Sequence, residues 1–481
     1  MIIKINKRFF SLFVTAALFG LCCFFADKLQ VACALWLSII CLFPSMVVAL
    51  NTSYLGIKIF CATTLITQTV NVTLFYLFED SYKFGVYRPF GFTVIEALPV
   101  FLVVGLFLLL VSYFIKISER LIGSPVQLTY SGTRAHQTFF LNGKPKSKHI
   151  SLLIINLLMV VSLPIKFWMF DMGIGLTGIQ PPELPFRLSG LLFYMFNFVV
   201  PLILAFLYFK VDSKSVFLAL IVSVYGFLIG VTSISRGSLL LIISSVIFLA
   251  WINRRWLVLT IGLLFASFGV LVITTSREIV YVSNGLAIGS FTFFGIFGTI
   301  ERSLDLIDWS SSIIRLFSAV FERVEGFQGL LMSSYFNPDA VGGPWGIFVA
   351  AVNNSFSDLG HDAMHLEFLG YTVPSGIYNV PASINSLMMM ASSKYLFMIF
   401  PFALYTALTL VILERMSVII ARRFHLKYSI LLFIIFYMTL SFSLAPGSPV
   451  FINQLFLLMF FGLFPFSYSL NKSHSARDDI V

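Results

Sequence analysis

Apolar residues run along this chain in long blocks separated by short polar stretches, with no strand-like alternation. Twelve blocks approach or exceed the about 20 residues that a helix needs to cross the hydrocarbon core of a bilayer. They cover roughly 9–26, 30–50, 54–78, 93–115, 150–170, 187–209, 215–235, 238–253, 256–274, 395–413, 428–445 and 450–470. The pattern predicts an all-α polytopic membrane protein with about twelve transmembrane helices. One interval breaks the rhythm. Between Arg277 and Lys394 lies a stretch, 278–393, that no block of full spanning length interrupts. Within it, 286–300 is apolar but broken by glycines and 345–352 is shorter still, so both read as re-entrant or interface-lying pieces. No repeat and no low-complexity linker divides the chain. It therefore reads as a single membrane domain over 1–481 with a large loop, 278–393, inserted between two helices.

Composition agrees with this reading. Hydrophobic residues make up 59% of the chain and charged residues 11%, against about 25% charge in a soluble globular protein. Residues 9–26 follow Lys4, Lys7 and Arg8 in the manner of a signal peptide, but Asp27-Lys28 leads at once into another apolar block, so 9–26 reads as the first helix of many. All five cysteines (Cys22, Cys23, Cys33, Cys41, Cys61) fall in the first three blocks, where they act as small hydrophobes and offer neither a disulfide framework nor a zinc site.

The net charge of +10 reports topology and does not point to nucleic acid. With the N-terminus inside, 20 of the 31 basic residues fall in cytoplasmic segments, among them Lys58, Lys116, Arg120, Lys144, Lys146, Lys148, Arg254, Arg255, Arg415, Arg422, Arg423 and Lys427. The 278–393 interval holds only Arg302, Arg315 and Arg323. Both termini are therefore expected in the cytoplasm and the large loop on the opposite side.

Candidate chemistry concentrates at that opposite side. Arg236 lies in Thr232-Ser233-Ile234-Ser235-Arg236-Gly237-Ser238, the outer turn between the seventh and eighth spans. A guanidinium stays charged and fits phosphate bidentately; the alternative is a snorkelling arginine that orders the turn. Arg277 follows the ninth span, beside Glu278, as either an anion contact or an edge anchor. Arg323 and Glu325 stand in Glu322-Arg323-Val324-Glu325-Gly326. His361 and His365 sit four apart, on one face if that segment is helical. They can serve as a base, as ligand hydrogen bonds or as satisfied loop histidines. The segment lacks the His-Glu-x-x-His arrangement, and no metal is expected. Trp309 and Trp345 are the tryptophans among many loop aromatics, suited to glycan rings or to lidding a cavity. Ionisable residues within blocks are Lys58, Glu96 and Lys166. Each lies near a block end or a proline, where snorkelling accounts for it at least as well as function does.

The Ser235-Arg236-Gly237 turn, the Arg323-Val324-Glu325-Gly326 segment in a large late outside loop, and the spacing of the whole chain resemble the Wzy-type O-antigen polymerases, the oligosaccharide repeat-unit polymerases of the bacterial inner membrane. That resemblance implies a GT-C-like helical core. It also implies a membrane glycosyltransferase that uses undecaprenyl-diphosphate-linked oligosaccharide at the periplasmic face to build lipopolysaccharide O-antigen, with no cofactor. Membrane lipid and a chain-length regulator would be its other partners. On it, Arg236, Arg277 and Arg323 would contact the substrate diphosphate, Glu325, His361 and His365 would be candidates for the base, and Trp309 and Trp345 would contact glycan. A lipid-linked oligosaccharide flippase or an O-antigen ligase is the alternative. The long loop disfavours the flippase, while the ligase shares the donor chemistry.

Overall fold

The computed structural model describes residues 19–21, 28–77, 94–123, 145–174, 184–185, 188–211, 215–282, 298, 300–301, 303–305, 307, 330, 333–334, 337–353, 383–423 and 428–444. Among these the regular structure is helical. The elements are α1 (Leu29–Leu50), α2 (Leu55–Leu77), α3 (Val94–Ile122), α4 (Pro145–Asp171) and α5 (Leu188–Tyr194), which passes through a π-helical turn (Met195–Val199) into α6 (Val200–Val211). There follow α7 (Val216–Thr232), α8 (Arg236–Ile252), α9 (Trp256–Val282), α10 (Gly343–Asn353), α11 (Ile384–Ser392), α12 (Ile399–Arg423) and α13 (Tyr428–Leu444). Seven of the described helical stretches are long and apolar enough to cross a membrane, and α7, α8 and α13 are apolar but shorter. Ten of the twelve expected spans coincide with described helices; 450–470 and most of 9–26 lie outside the described residues.

Helix ends follow local chemistry more closely than the apolar blocks do. Ser215 caps α7 by accepting from Leu218 N at 3.3 Å, and Ser383 caps α11 by accepting from Ser386 N at 3.1 Å. α3 outruns its apolar block by about two turns, because backbone hydrogen bonding continues past Lys116 and Arg120 until Gly123 takes a left-handed φ of +75°.

The helices pack as two groups. In one, α1, α2, α3 and α12 surround a shared core, and Gly105 of α3 lets the backbone of α1 approach at Cys41. In the other, α4 and α6–α9 pack together. α13 joins the groups: its Phe433 ring meets Phe209 of α6 at 4.9 Å and Phe248 of α8 at 5.9 Å, while Phe442 meets Phe60 of α2 at 6.5 Å.

Contacts at one end of the bundle fix the sense of the crossings. Glu414 of α12 is buried and accepts from Leu55 N at 2.9 Å and Gly56 N at 2.7 Å, the free amides that begin α2. Arg415 donates to the Ile122 and Gly123 carbonyls at 2.5 and 2.7 Å and to the Tyr54 hydroxyl at 3.1 Å. Burial pushes the Tyr54 phenol up from its ordinary pKa, keeping it a donor toward the Gly123 carbonyl at 3.4 Å. The ends of α3 and α12 and the α1–α2 turn thus meet in one clamp, and α3 and α12 run the same way. Among the described residues five passages separate them (α4, α5–α6, α7, α8, α9). The interval after α9 therefore begins and ends at the side opposite the clamp. α10, with 11 residues, spans only about 16 Å and does not cross. Its Ile347 and Ala351 enter the core while Trp345, Val349 and Val352 face outward.

Candidate functional site at the loop end of the bundle

α7 and α8 are joined by a turn whose closure carries strain. The Ile234 N–H bonds the Val231 carbonyl at 3.0 Å and the Ser235 N–H bonds the Gly230 carbonyl at 2.9 Å, a Schellman closure. The left-handed position in such a motif normally holds glycine. Here it holds Ile234 at φ +48°, fully buried. A β-branched residue there costs on the order of 1–3 kcal/mol. Packing supplies the compensation: Ile234 lies in a cluster with Phe170, Val231, Leu239 and Ile273, against which Ile300 and Leu304 of the loop also rest. Gly230 permits this approach, since a Cβ there would meet Leu239 Cβ at 2.8 Å and Ile273 Cδ1 at 2.9 Å.

Directly after the turn, Ser235 caps α8 by accepting from Ser238 N at 3.4 Å, and Arg236 is the first helical residue. The structure describes Arg236 and Arg277 through their backbones. Arg277 lies on the last turns of α9, which packs antiparallel to α8, so both arginines belong to the loop end of one three-helix unit. The hydroxyl of Ser276, beside Arg277, lies 2.9 Å from that of Ser303, tying the end of α9 to the start of the loop.

Beneath the turn is a buried lysine. Lys166 of α4 is 1% exposed. Of the two roles open to it in the sequence, snorkelling or an inward polar contact, the structure shows the second: its amino group donates inward, to Asn197 Oδ1 on the π-helical turn and to Ser233 Oγ at 2.9 Å. The Ser233 hydroxyl has Asn197 Oδ1 at 2.8 Å and the Ile229 carbonyl at 2.6 Å as acceptors for its own proton. Both partners of Lys166 are neutral. Ser233 is the capping residue at the C-terminus of α7, where carbonyls carry a partial negative charge. Single-turn π-helices recur at functional sites, and this one places a buried amide next to a buried lysine. Sequence reasoning passed over Asn197, although a lone amide in the apolar run Phe-Tyr-Met-Phe-Asn-Phe-Val-Val is itself a signal. Ser238, on the first turn of α8, is fully buried and its hydroxyl has no hydrogen-bond partner.

The loop contributes a second described cluster. Lys394, just before α12, donates to Asn337 Oδ1 at 2.6 Å and Asp339 Oδ2 at 3.1 Å, and the Tyr395 hydroxyl donates to Asp339 Oδ1 at 3.1 Å. The hydrogen bond to the Asp339 carboxylate raises the Tyr395 phenol above its ordinary pKa. Trp345 on α10 is 54% exposed, with its ring against Phe348 at 5.9 Å and Phe397 at 6.3 Å. Trp309, Arg323, Glu325, His361 and His365 lie outside the described residues. Comparison of the chain with protein-family models, curated proteins and solved structures returns no match.

Proposed function

We propose that the chain is a membrane glycosyltransferase that polymerises undecaprenyl-diphosphate-linked oligosaccharide repeat units into an O-antigen-type polysaccharide at the periplasmic face of the bacterial inner membrane, on a GT-C-like core. The observation that carries this reading is the α7–α8 turn: a strained, tightly packed closure that starts α8 at Arg236, at the loop end of the bundle, above the buried Lys166. Strain held by surrounding packing is characteristic of functional positions.

The chemistry follows from the donor. A hydroxyl of the newest lipid-linked unit attacks the anomeric carbon of the growing chain. The bond between that carbon and the diphosphate oxygen breaks, and undecaprenyl diphosphate leaves with the electron pair. Negative charge therefore develops at the diphosphate, where cations held near the membrane surface stabilise it. Arg236 takes that part, with Arg277 and Arg323 assisting. The acceptor proton passes to Glu325, His361 or His365. The exposed Trp345, together with Trp309, offers an aromatic face to the glycan. The donor's glycosyl–diphosphate bond supplies the driving force, so the reaction calls for neither nucleotide sugar nor metal.

The test is reconstitution. Purified protein in proteoliposomes, supplied with lipid-linked single repeat units and no nucleotide sugar, should yield a ladder of multiples and free undecaprenyl diphosphate. Translocation of single units without any ladder would replace polymerisation with flipping.

A further inference from the structure

We propose that the α8–α9 turn, from Trp251 to Leu257, binds the headgroup phosphate of an anionic phospholipid on the clamp side of the bundle. The turn closes as the one at the other end of α8 does. The Arg254 N–H bonds the Trp251 carbonyl at 3.1 Å and the Arg255 N–H bonds the Ala250 carbonyl at 2.8 Å, again a Schellman closure. Its left-handed position holds Arg254, at φ +54°. Glycine would adopt that conformation without a Cβ penalty. Ile234, in the equivalent place, is held by a buried cluster. Arg254 is exposed, and its guanidinium has no partner among the described residues. Packing therefore does not account for an arginine here, and Arg255 sets a second cation next to it in the chain.

The surroundings point to lipid. Trp251 and Trp256, one on each side of the two arginines, are 66% and 67% exposed, and Ile252 and Leu257 beside them are exposed as well. Tryptophan gathers at the boundary between acyl chains and headgroups, where its ring is covered and its N–H stays wet. Helix length keeps the turn at that boundary. α8 has 17 residues, about 26 Å, against a hydrocarbon core of about 30 Å. At that depth the arginines meet phosphate, which a guanidinium binds bidentately, and their charge favours anionic over zwitterionic lipid. A soluble acidic partner would reach the arginines but leave the tryptophans uncovered. The site lies at the opposite end of α8 from Arg236 and rests on none of the chemistry proposed there.

The experiment uses the full chain in nanodiscs of phosphatidylcholine with a minor fraction of phosphatidylglycerol. Lipids that stay bound on release are counted by native mass spectrometry. Wild type should retain phosphatidylglycerol preferentially, and Arg254→Gln with Arg255→Gln should lower that preference by about fivefold per arginine. Arg120→Gln, which removes an exposed charge at the clamp end of α3, should lower it less; an equal loss would mean general attraction to basic ends and would overturn the site. Arg254→Gly should lower the preference while melting at or above the wild-type temperature, because glycine suits the left-handed position. An arginine kept for the fold alone would give the reverse, a lower melting temperature with unchanged retention, and that result overturns the site. Should Arg254→Gly both melt lower and retain less, the glutamine pair decides, and unchanged retention there overturns it. A wild type that retains the two lipids in proportion to the bilayer overturns it as well. Millimolar inorganic phosphate should leave retention unchanged; displacement would assign the arginines to a free anion and remove the lipid. A dimer lost in Trp251→Ala with Trp256→Ala, without any lipid preference, would give this face to a second copy of the chain instead.

Discussion

Lys166 and Ser233, 67 residues apart in sequence, are joined by a hydrogen bond of 2.9 Å inside the bundle. The bond links the last turns of one spanning helix to the residue that closes another. It gives the Lys166 amino group an acceptor at the carbonyl end of α7. Three residues further on, the chain starts α8 with Arg236. The position of that arginine's backbone is thus tied to a buried lysine through one serine.

Topology is the broadest consequence to test. Because α3 and α12 run the same way and five passages separate them, reporter fusions at Lys146 and Arg422 should report one compartment and a fusion at Asp339 the other. The positive-inside rule leads us to expect the first two in the cytoplasm. A cytoplasmic signal at Asp339 would overturn the crossing sense and the function that rests on it.

Arg236→Ala should abolish the polysaccharide ladder in a polymerase-null strain, and Arg236→Lys should restore at most a faint one. Lysine keeps the charge but loses the planar fork that holds two phosphate oxygens. By analogy with one oxyanion-hole donor, the loss is on the order of 10²–10³ in rate. A snorkelling anchor would accept lysine. A normal ladder from well-inserted Arg236→Ala would remove this residue from the mechanism.

Helix contact through Gly105 predicts a steep local cost. A Cβ there would stand 2.3 Å from the Cys41 carbonyl oxygen and 3.0 Å from its carbon, both backbone atoms that cannot turn aside. Gly105→Ala should force α1 and α3 apart and destabilise the protein by about 1–3 kcal/mol or more. Gly190→Ala, where a Cβ meets nothing within 4 Å, should be neutral or slightly stabilising, since alanine is the better helix former. Thermal melting in detergent compares the two. Equal melting temperatures would mean that α1 and α3 are not in this contact.

The clamp should divide along its hydrogen bonds. Glu414→Ala leaves the Leu55 and Gly56 amides of a buried helix start without an acceptor, at about 1–3 kcal/mol for buried donors left unsatisfied. Glu414→Gln keeps one carbonyl oxygen and should recover part of that. If the glutamine variant melted no higher than the alanine variant, the two amides would not be held by this side chain.

Trp345→Ala should lower the yield of long chains with little change in melting, because the side chain is more than half exposed and its ring contacts are at the edge of the core. Equal losses in melting and polymerisation would make it a packing residue.

Much of this was legible from the chain. Long apolar blocks can only be helices where no water is available to bond a free backbone, and ten of the expected spans coincide with described helices. The loop piece 345–352 was recognisable as too short to cross. Helix ends were less legible: α3 and α9 continue past the blocks that end near 115 and 274, because local hydrogen bonding, not hydropathy, ends a helix. The strained closure at Ile234 was invisible, since glycine is the usual signal for a left-handed residue and isoleucine carries none.

Residue type and order alone were enough to establish a helical, multi-pass membrane character, because long apolar blocks are recognisable without any tertiary partner. Only the tertiary structure decided what Lys166 does. In the sequence it is a cation near a proline, free to reach toward the membrane surface. In the fold, Asn197 and Ser233 arrive from two other helices and turn it inward. A partner contributed by a distant segment leaves no periodic trace along the chain, and whether a charge in a membrane escapes to water or is answered in place depends on that partner alone.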